Sequence, residues 1–297
     1  MKIMITGCNG QLGNELQSIL KSGKSEIGNI SDKFSGCQIL PVDIDNLDIT
    51  DFDATNDFIL SNKPDIIINC AAMTNVDGCE TMKDVAFKVN ALGVKNLAVG
   101  AKKTGAKFIH ISTDYVFAGD GKKPYVEWDL IDPQSVYGAS KALGEKYALA
   151  FNDKTFIVRT SWLYGYIGKN FVKTVRRVIK EHGSITVVND QRGNPTNAND
   201  LAHHLLKLAL TEEYGIYHCT GEGECSWYDF AVKIAEYSGY NNAVFPCSTE
   251  EYNSKYNVPT KRPSYSSLDN MGLKCTVGNE MRDWETALKE YISKVED

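Results

Sequence analysis

The sequence holds no apolar run near the roughly 18 residues that a membrane-spanning helix needs, so no membrane partner is expected. It has no Cys-x2-Cys pair, although cysteines stand at Cys8, Cys37, Cys70, Cys79, Cys219, Cys225, Cys247 and Cys275. That spacing argues against a zinc site or a disulfide framework, and a chain this long needs no covalent staples. There is no excess of positive charge. The net charge of −6 excludes a general nucleic-acid surface. No internal repeat or low-complexity tract is present, and no cleavage pattern follows the opening Met1–Ile5 segment. A cytoplasmic setting with reduced thiols is therefore expected.

What is present is a globular composition, with 42% hydrophobic and 24% charged residues in 297. Apolar strands are expected at 2–6, 38–42, 65–69, 107–112 and 155–160, each bounded by turn residues. Helical spacing fills the intervals at 11–20, 51–60, 89–103 and 135–150, while 22–36 reads as a surface loop. Strands that are apolar throughout and alternate with helices imply a Rossmann-type, doubly wound parallel sheet. Beyond about residue 165 the order is less regular, with helices expected at 170–181, 199–210, 226–237 and 284–294. This predicts a dinucleotide-binding domain over 1–165, to which later segments return, and a smaller mixed α/β substrate lobe mainly over 166–297.

Gly7, Gly10 and Gly13 fall in Thr6-Gly7-Cys8-Asn9-Gly10-Gln11-Leu12-Gly13, at the first strand-to-helix turn. Glycines there permit a tight turn, close approach to a pyrophosphate and close helix–strand packing. The helix start adds unpaired N–H groups for the phosphates. Asp43 ends the second strand, where an acidic residue holds the adenosine ribose. With no basic residue directly after it, NADH is expected in preference to NADPH. The run Asp43, Asp45, Asp48, Asp51, Asp53 reads as turn residues and a helix start, and no metal is assigned to it.

Tyr137-Gly138-Ala139-Ser140-Lys141 puts a tyrosine and a lysine four residues apart on one helix face. It follows a strand that ends in Ser112-Thr113-Asp114, at the ligand-binding edge of such a sheet. Reduction of a ketone needs a hydride at carbon and a proton for the developing alkoxide. Tyr137 is the expected acid, and Thr113 orients the carbonyl oxygen. Lys141 is expected to act on Tyr137 and to hold the nicotinamide ribose. An ammonium ~4 Å away contributes about 4 kcal/mol at an effective dielectric of 20, or two to three pKa units.

These motifs resemble the extended short-chain dehydrogenase/reductases, and among them the dTDP-4-dehydrorhamnose reductase family. The matching segments are Thr6–Gly13, Ser112–Phe117 and Tyr137–Lys141, with Asn69–Asp77, Arg159–Gly165, Asn189–Thr196, Trp227–Ala231 and Lys261–Pro263. The resemblance covers nearly the whole chain. It implies reduction of the 4-keto group of a dTDP-6-deoxy-4-keto-L-hexose to dTDP-L-rhamnose with NADH or NADPH. Gly10, Gln11, Leu12, Asp43, Asp48, Ile49, Ala71, Ala72 and Asn90 would line the cofactor by this likeness. Thr74, Val76, Asp114 and Trp162 would touch the sugar. A homodimer is implied, and some relatives carry Mg2+ at the subunit interface, though no ligands for it can be mapped here.

Arg192 and Arg262 are candidates for a bidentate clamp on the diphosphate. His110 reads as a core residue within its strand. A dehydratase or epimerase on the same fold is the nearest rival, but Tyr115 stands where dehydratases carry an acid. A non-catalytic NAD(P)-binding regulatory subunit is the rival from another class, and it would not need Thr113, Tyr137 and Lys141 together.

Overall fold

Six parallel strands form the central sheet of the computed structural model, which describes residues 1–256 and 258–295. They are β1 (Lys2–Thr6), β2 (Gln38–Val42), β3 (Ile66–Asn69), β4 (Lys107–Thr113), β5 (Thr155–Thr160) and β6 (Gly215–His218). Their order across the sheet is β2-β1-β3-β4-β5-β6. The chain reverses direction across the sheet between β1 and β3, and this switch point opens a crevice at the carboxyl ends of the strands.

The period-two alternation of β1 decides both faces at once. Ile3 and Ile5 pack with Leu16 and Ile19 of the helix Gln11–Ser22 and with Leu201 and Leu205 of the helix Ala198–Ala209. Met4 points the other way, to Ile59 of the helix Phe52–Asn62 and to Val94 and Leu97 of the helix Val94–Thr104. Ile3, Met4 and Ile5 are fully buried, each worth about 1.5–3 kcal/mol relative to exposure. Helices on both faces cover a sheet that is apolar on both faces. Among the described residues, no helix is long and apolar enough to cross a membrane.

A second core gathers Tyr164, Val175, Phe230, Trp284, Leu288 and Tyr291. It lies among the helices Phe171–His182, Trp227–Tyr237 and Trp284–Lys294. Ser226 and Asp229 cap the second of these reciprocally, each side chain bonding to the other's backbone N–H.

Two expectations need correction. Residues 22–36 are more than a surface loop: Lys24–Ser25 pairs with Gly28–Asn29, and Ser25 and Phe34 are buried. Glu26 there accepts from Arg282 at 2.7 Å and from the hydroxyl of Tyr166 at 2.6 Å, which ties the hairpin to the second core. The helix expected over 89–103 begins at Lys83 and passes through a π-helical stretch, Lys88–Gly93, before Val94–Thr104. Such a bulge costs regular hydrogen bonding and often marks a functional site.

Candidate active site

A cavity of about 870 Å3 opens at the carboxyl ends of β1, β3, β4 and β5. One end is the glycine loop. Gly7 has φ 63°, and a Cβ there would lie 2.8 Å from the backbone nitrogen of Ala71. At Gly13 a Cβ would lie 2.4 Å from the Gly7 carbonyl oxygen. Both positions require glycine, so the loop can fold tightly beneath the start of the helix that begins at Gln11. Gly10, Gln11 and Leu12 line the cavity there, with Ala71 and Ala72 opposite. Asp43 closes this end: its Oδ2 accepts from the Asn9 N–H at 2.9 Å, leaving the carboxylate on the cavity wall. Asp48 and Ile49 also lie in the wall. A phosphate cradle that no side chain can enter, with a carboxylate one strand away, fits a dinucleotide.

Asn90 does not line this cavity. It is fully buried in the π-helical stretch. From there its Oδ1 accepts from the Met73 N–H at 2.8 Å, and its Nδ2 donates to the Met73 carbonyl at 3.1 Å. A further bond from Nδ2 reaches Ser140 Oγ at 3.0 Å. Asn90 therefore sets the course of the 71–74 wall from behind.

The middle of the cavity brings together Thr113, Asp114, Tyr137 and Lys141. Ser135 caps the helix Val136–Phe151 by accepting from the Gly138 N–H at 3.1 Å, which places Tyr137 in the first turn. Tyr137 meets Tyr115 edge to face, with ring centroids 5.5 Å apart. Burial pushes the Tyr137 hydroxyl above its ordinary value, and a hydrogen bond with Thr113 pulls it back in part. The Thr113 hydroxyl donates to Asp114 Oδ1 at 2.9 Å. Asp114 is buried, and burial pushes its carboxyl up to about 6 against the hydrogen bonds from Ser266 and Thr113.

Lys141 is placed differently from the simple Tyr–Lys pair. Its ammonium donates to the Ile111 carbonyl at 2.6 Å and lies 3.5 Å from His110 Nε2. Tyr137 is raised by burial, with no counteracting pull from Lys141 among its principal influences. Burial brings Lys141 itself down to about 8. Nearby, Glu145 bonds Arg159 with both oxygens, at 2.9 and 2.8 Å, and accepts from Ser112 Oγ at 2.5 Å. Glu145 is marked by no motif of the sequence. Arg159 and Glu145 lie in different elements, and only the fold joins them.

At the far end the wall includes Thr74, Val76 and Trp162. Trp162 has φ 47°, a left-handed conformation that a bulky residue keeps only when its surroundings enforce it. The enforcing partner is Trp227, which also lines the cavity. A Cβ at Gly193 would lie 2.7 Å from the Trp162 indole, so the strand below must be bare.

The expected arginine clamp is not assembled. Arg192 lies outside the lining of this cavity, because its Nε bonds Glu224 at 3.0 Å. Arg262 bonds Asp77 at 2.9 Å and approaches the Tyr115 hydroxyl at 3.5 Å, in a smaller adjoining cavity. Each guanidinium is committed to a carboxylate. Among the described residues, no group of three or more His, Cys, Asp or Glu side chains is arranged to hold a metal.

A family model described as the RmlD substrate binding domain matches residues 1–296. A dTDP-4-dehydrorhamnose reductase of Aggregatibacter actinomycetemcomitans is 39% identical, over 99% of both chains. The crystal structure of a dTDP-4-dehydrorhamnose reductase from Clostridium acetobutylicum superposes with a TM-score of 0.92 at 48% identity, covering 99% of both chains. Another from Bacillus anthracis, in complex with NADP, gives 0.90 at 41% identity, again over 99% of both.

Proposed function

This chain belongs to the RmlD substrate binding domain family, and on that footing we propose that it is a nicotinamide-dependent reductase of dTDP-4-dehydrorhamnose. The observation that carries the reading is the meeting of Thr113, Tyr137 and Lys141 with the glycine cradle in one cavity. Relatives that match over nearly their whole length bear the name of that enzyme.

The bound reduced nicotinamide supplies the hydride. Tyr137 gives its proton to the oxygen of the 4-keto group as charge develops there. That hydroxyl is a weak acid in its buried setting, so proton transfer is favoured only when the oxygen has become an alkoxide. Thr113 fixes the oxygen beside Tyr137 once its single hydroxyl proton, which Asp114 Oδ1 accepts in this structure, turns to the substrate. Thr74, Val76 and Trp162 hold the sugar, while Gly7, Gly10, Gln11, Leu12, Gly13, Asp43, Ala71 and Ala72 hold the cofactor. Tyr115, with its hydroxyl pushed up to about 12 by burial, cannot serve as the carboxylic acid that a dehydratase places there.

The cofactor preference is NADH. The Asp43 carboxylate on the cavity wall suits the ribose hydroxyls of NADH and opposes the added 2′-phosphate of NADPH, and its bond to Asn9 steadies it. The Bacillus anthracis relative is in complex with NADP, and the ratio of NADH to NADPH turnover tests the preference of this chain. A cytoplasmic homodimer completes the proposal.

The test is loss of reduced-nicotinamide absorbance with enzymatically made dTDP-4-dehydrorhamnose, comparing NADH with NADPH and wild type with Tyr137→Phe. We expect wild-type turnover, faster with NADH, and a loss of roughly 10²- to 10⁴-fold in the variant. No turnover, with NADH binding intact, would turn the reading to a regulatory subunit.

A further inference from the structure

A row of buried polar side chains crosses the sheet beneath the cavity floor, and its protons can be placed. Thr6 at the end of β1 donates from Oγ1 to Asn69 Oδ1 at 2.5 Å. The same Oδ1 accepts from the backbone N–H of Ala71 at 3.2 Å. A backbone N–H can only donate, so the amide of Asn69 has one orientation, with Nδ2 toward β4. There Nδ2 meets His110 Nδ1 at 3.0 Å. The imidazole must accept at Nδ1, and its single proton therefore resides on Nε2. His110 is fully buried, and its surroundings hold its pKa well below the ordinary value, so it stays neutral.

Nε2 faces Lys141 Nζ at 3.5 Å. Two donors thus confront each other: an imidazole N–H and an ammonium. Only the neutral amine of Lys141 could accept from that N–H. The other groups facing Lys141 do little to protect its charge. Both oxygens of Glu145, one turn along the same helix, are taken by Arg159 and Ser112. Cys70, at the end of β3, is a thiol that burial keeps protonated, pushed up to about 12. The Ile111 carbonyl is the one close acceptor on β4, at 2.6 Å.

We propose that His110 is a positioning residue of the reaction: held by Asn69 as the Nε2–H tautomer, it turns a donor toward Lys141 and makes the ammonium proton easy to release. The inference rests on the reading of Lys141 as part of the reductase site. Burial acts in the same direction and outweighs the opposing charge of Glu145. The row also links the glycine loop to the catalytic helix, since Thr6 adjoins Gly7 and Asn69 holds Ala71.

Lysine labelled at Cε and followed by NMR against pH, with the Lys141 signal identified from a Lys141→Arg sample, reads the protonation directly. In wild type Lys141 titrates near pH 8. In His110→Phe its titration moves up by at least one pH unit. In His110→Gln, whose amide N–H reaches the Nε2 position, it stays within a few tenths of a unit. Should the Phe variant fail to fold, His110→Asn, too short to reach Nζ, takes its place. An unmoved titration in His110→Phe, or an equal shift in Phe and Gln variants, overturns the proposal. The alkaline limb of turnover is measured on the same samples. A shifted Lys141 titration without reductase activity in any sample would refute the reductase reading and leave the role of His110 standing.

Discussion

The indole of Trp162 lies flat on that of Trp227, with ring centroids 3.5 Å apart and planes 9° from parallel. The stack holds a left-handed residue in the cavity wall, so Trp162 depends on a residue far along the chain for its conformation. Trp227→Ala removes a contact worth about 0.5–1.5 kcal/mol beyond its buried area. We expect the KM for the sugar to rise roughly 2- to 10-fold, with the KM for NADH unchanged. Varying each substrate in turn checks this, and equal effects on both would mean that the stack supports the whole fold rather than the sugar end.

Asp114 predicts a stability that changes with pH. Its carboxyl is raised from 3.8 to about 6, so between those values the folded state binds more protons than the unfolded one. The stability penalty is absent below about pH 4, grows as pH rises, and is complete above about pH 6. At about 1.36 kcal/mol per unit it amounts to about 3 kcal/mol. Asp114→Asn should therefore be more stable than wild type at pH 7, with the gap closing by pH 4. Urea unfolding at both pH values measures it, and a gap independent of pH would refute it. Reductase activity should be largely kept, because the asparagine amide oxygen still offers Thr113 an acceptor.

Gly138 sits between the catalytic tyrosine and lysine, and a Cβ there would lie 2.1 Å from the Tyr115 carbonyl oxygen. That neighbour is backbone and cannot swing aside. Gly138→Ala should cost about 1–3 kcal/mol of stability. Its kcat should fall further than that loss explains, since the strain is relieved by moving Tyr115 or the first turn that carries Tyr137. Thermal unfolding and turnover below the transition check both. Full activity in a folded variant would show that the helix yields elsewhere.

Much of the nucleotide half was legible because it is written in local patterns. The β1 strand, the glycine turn and the Ser135-capped helix each follow from a few consecutive residues, and they carry Gly7, Tyr137 and Lys141 into place. Asn90 was assigned to the cavity wall, but the π-helical stretch turns it behind Met73. Lys141 has a partner besides the expected Tyr137. Helical spacing puts it on the face of Tyr137, yet the free carbonyl of Ile111 on a neighbouring strand claims its ammonium. The arginine clamp is not preassembled for a similar reason, since Glu224 and Asp77 are paired with Arg192 and Arg262 by tertiary contacts that no local pattern records. Trp227 belongs to the matching segment Trp227–Ala231, but its contact with Trp162 exists only in the fold.

The return of the chain to the sheet as β6 has a consequence for how the protein is made. β5 is buried on both faces in the finished fold, and β6 covers its outer edge. On the ribosome, β5 emerges first, and its partner follows only after the helices Phe171–His182 and Ala198–Ala209. Until then a row of unpaired backbone groups stands ready to join any other strand. At ~5–20 residues per second of synthesis, that interval lasts on the order of seconds. The nascent chain is therefore most open to misassociation late in its synthesis, when most of the nucleotide half is already built.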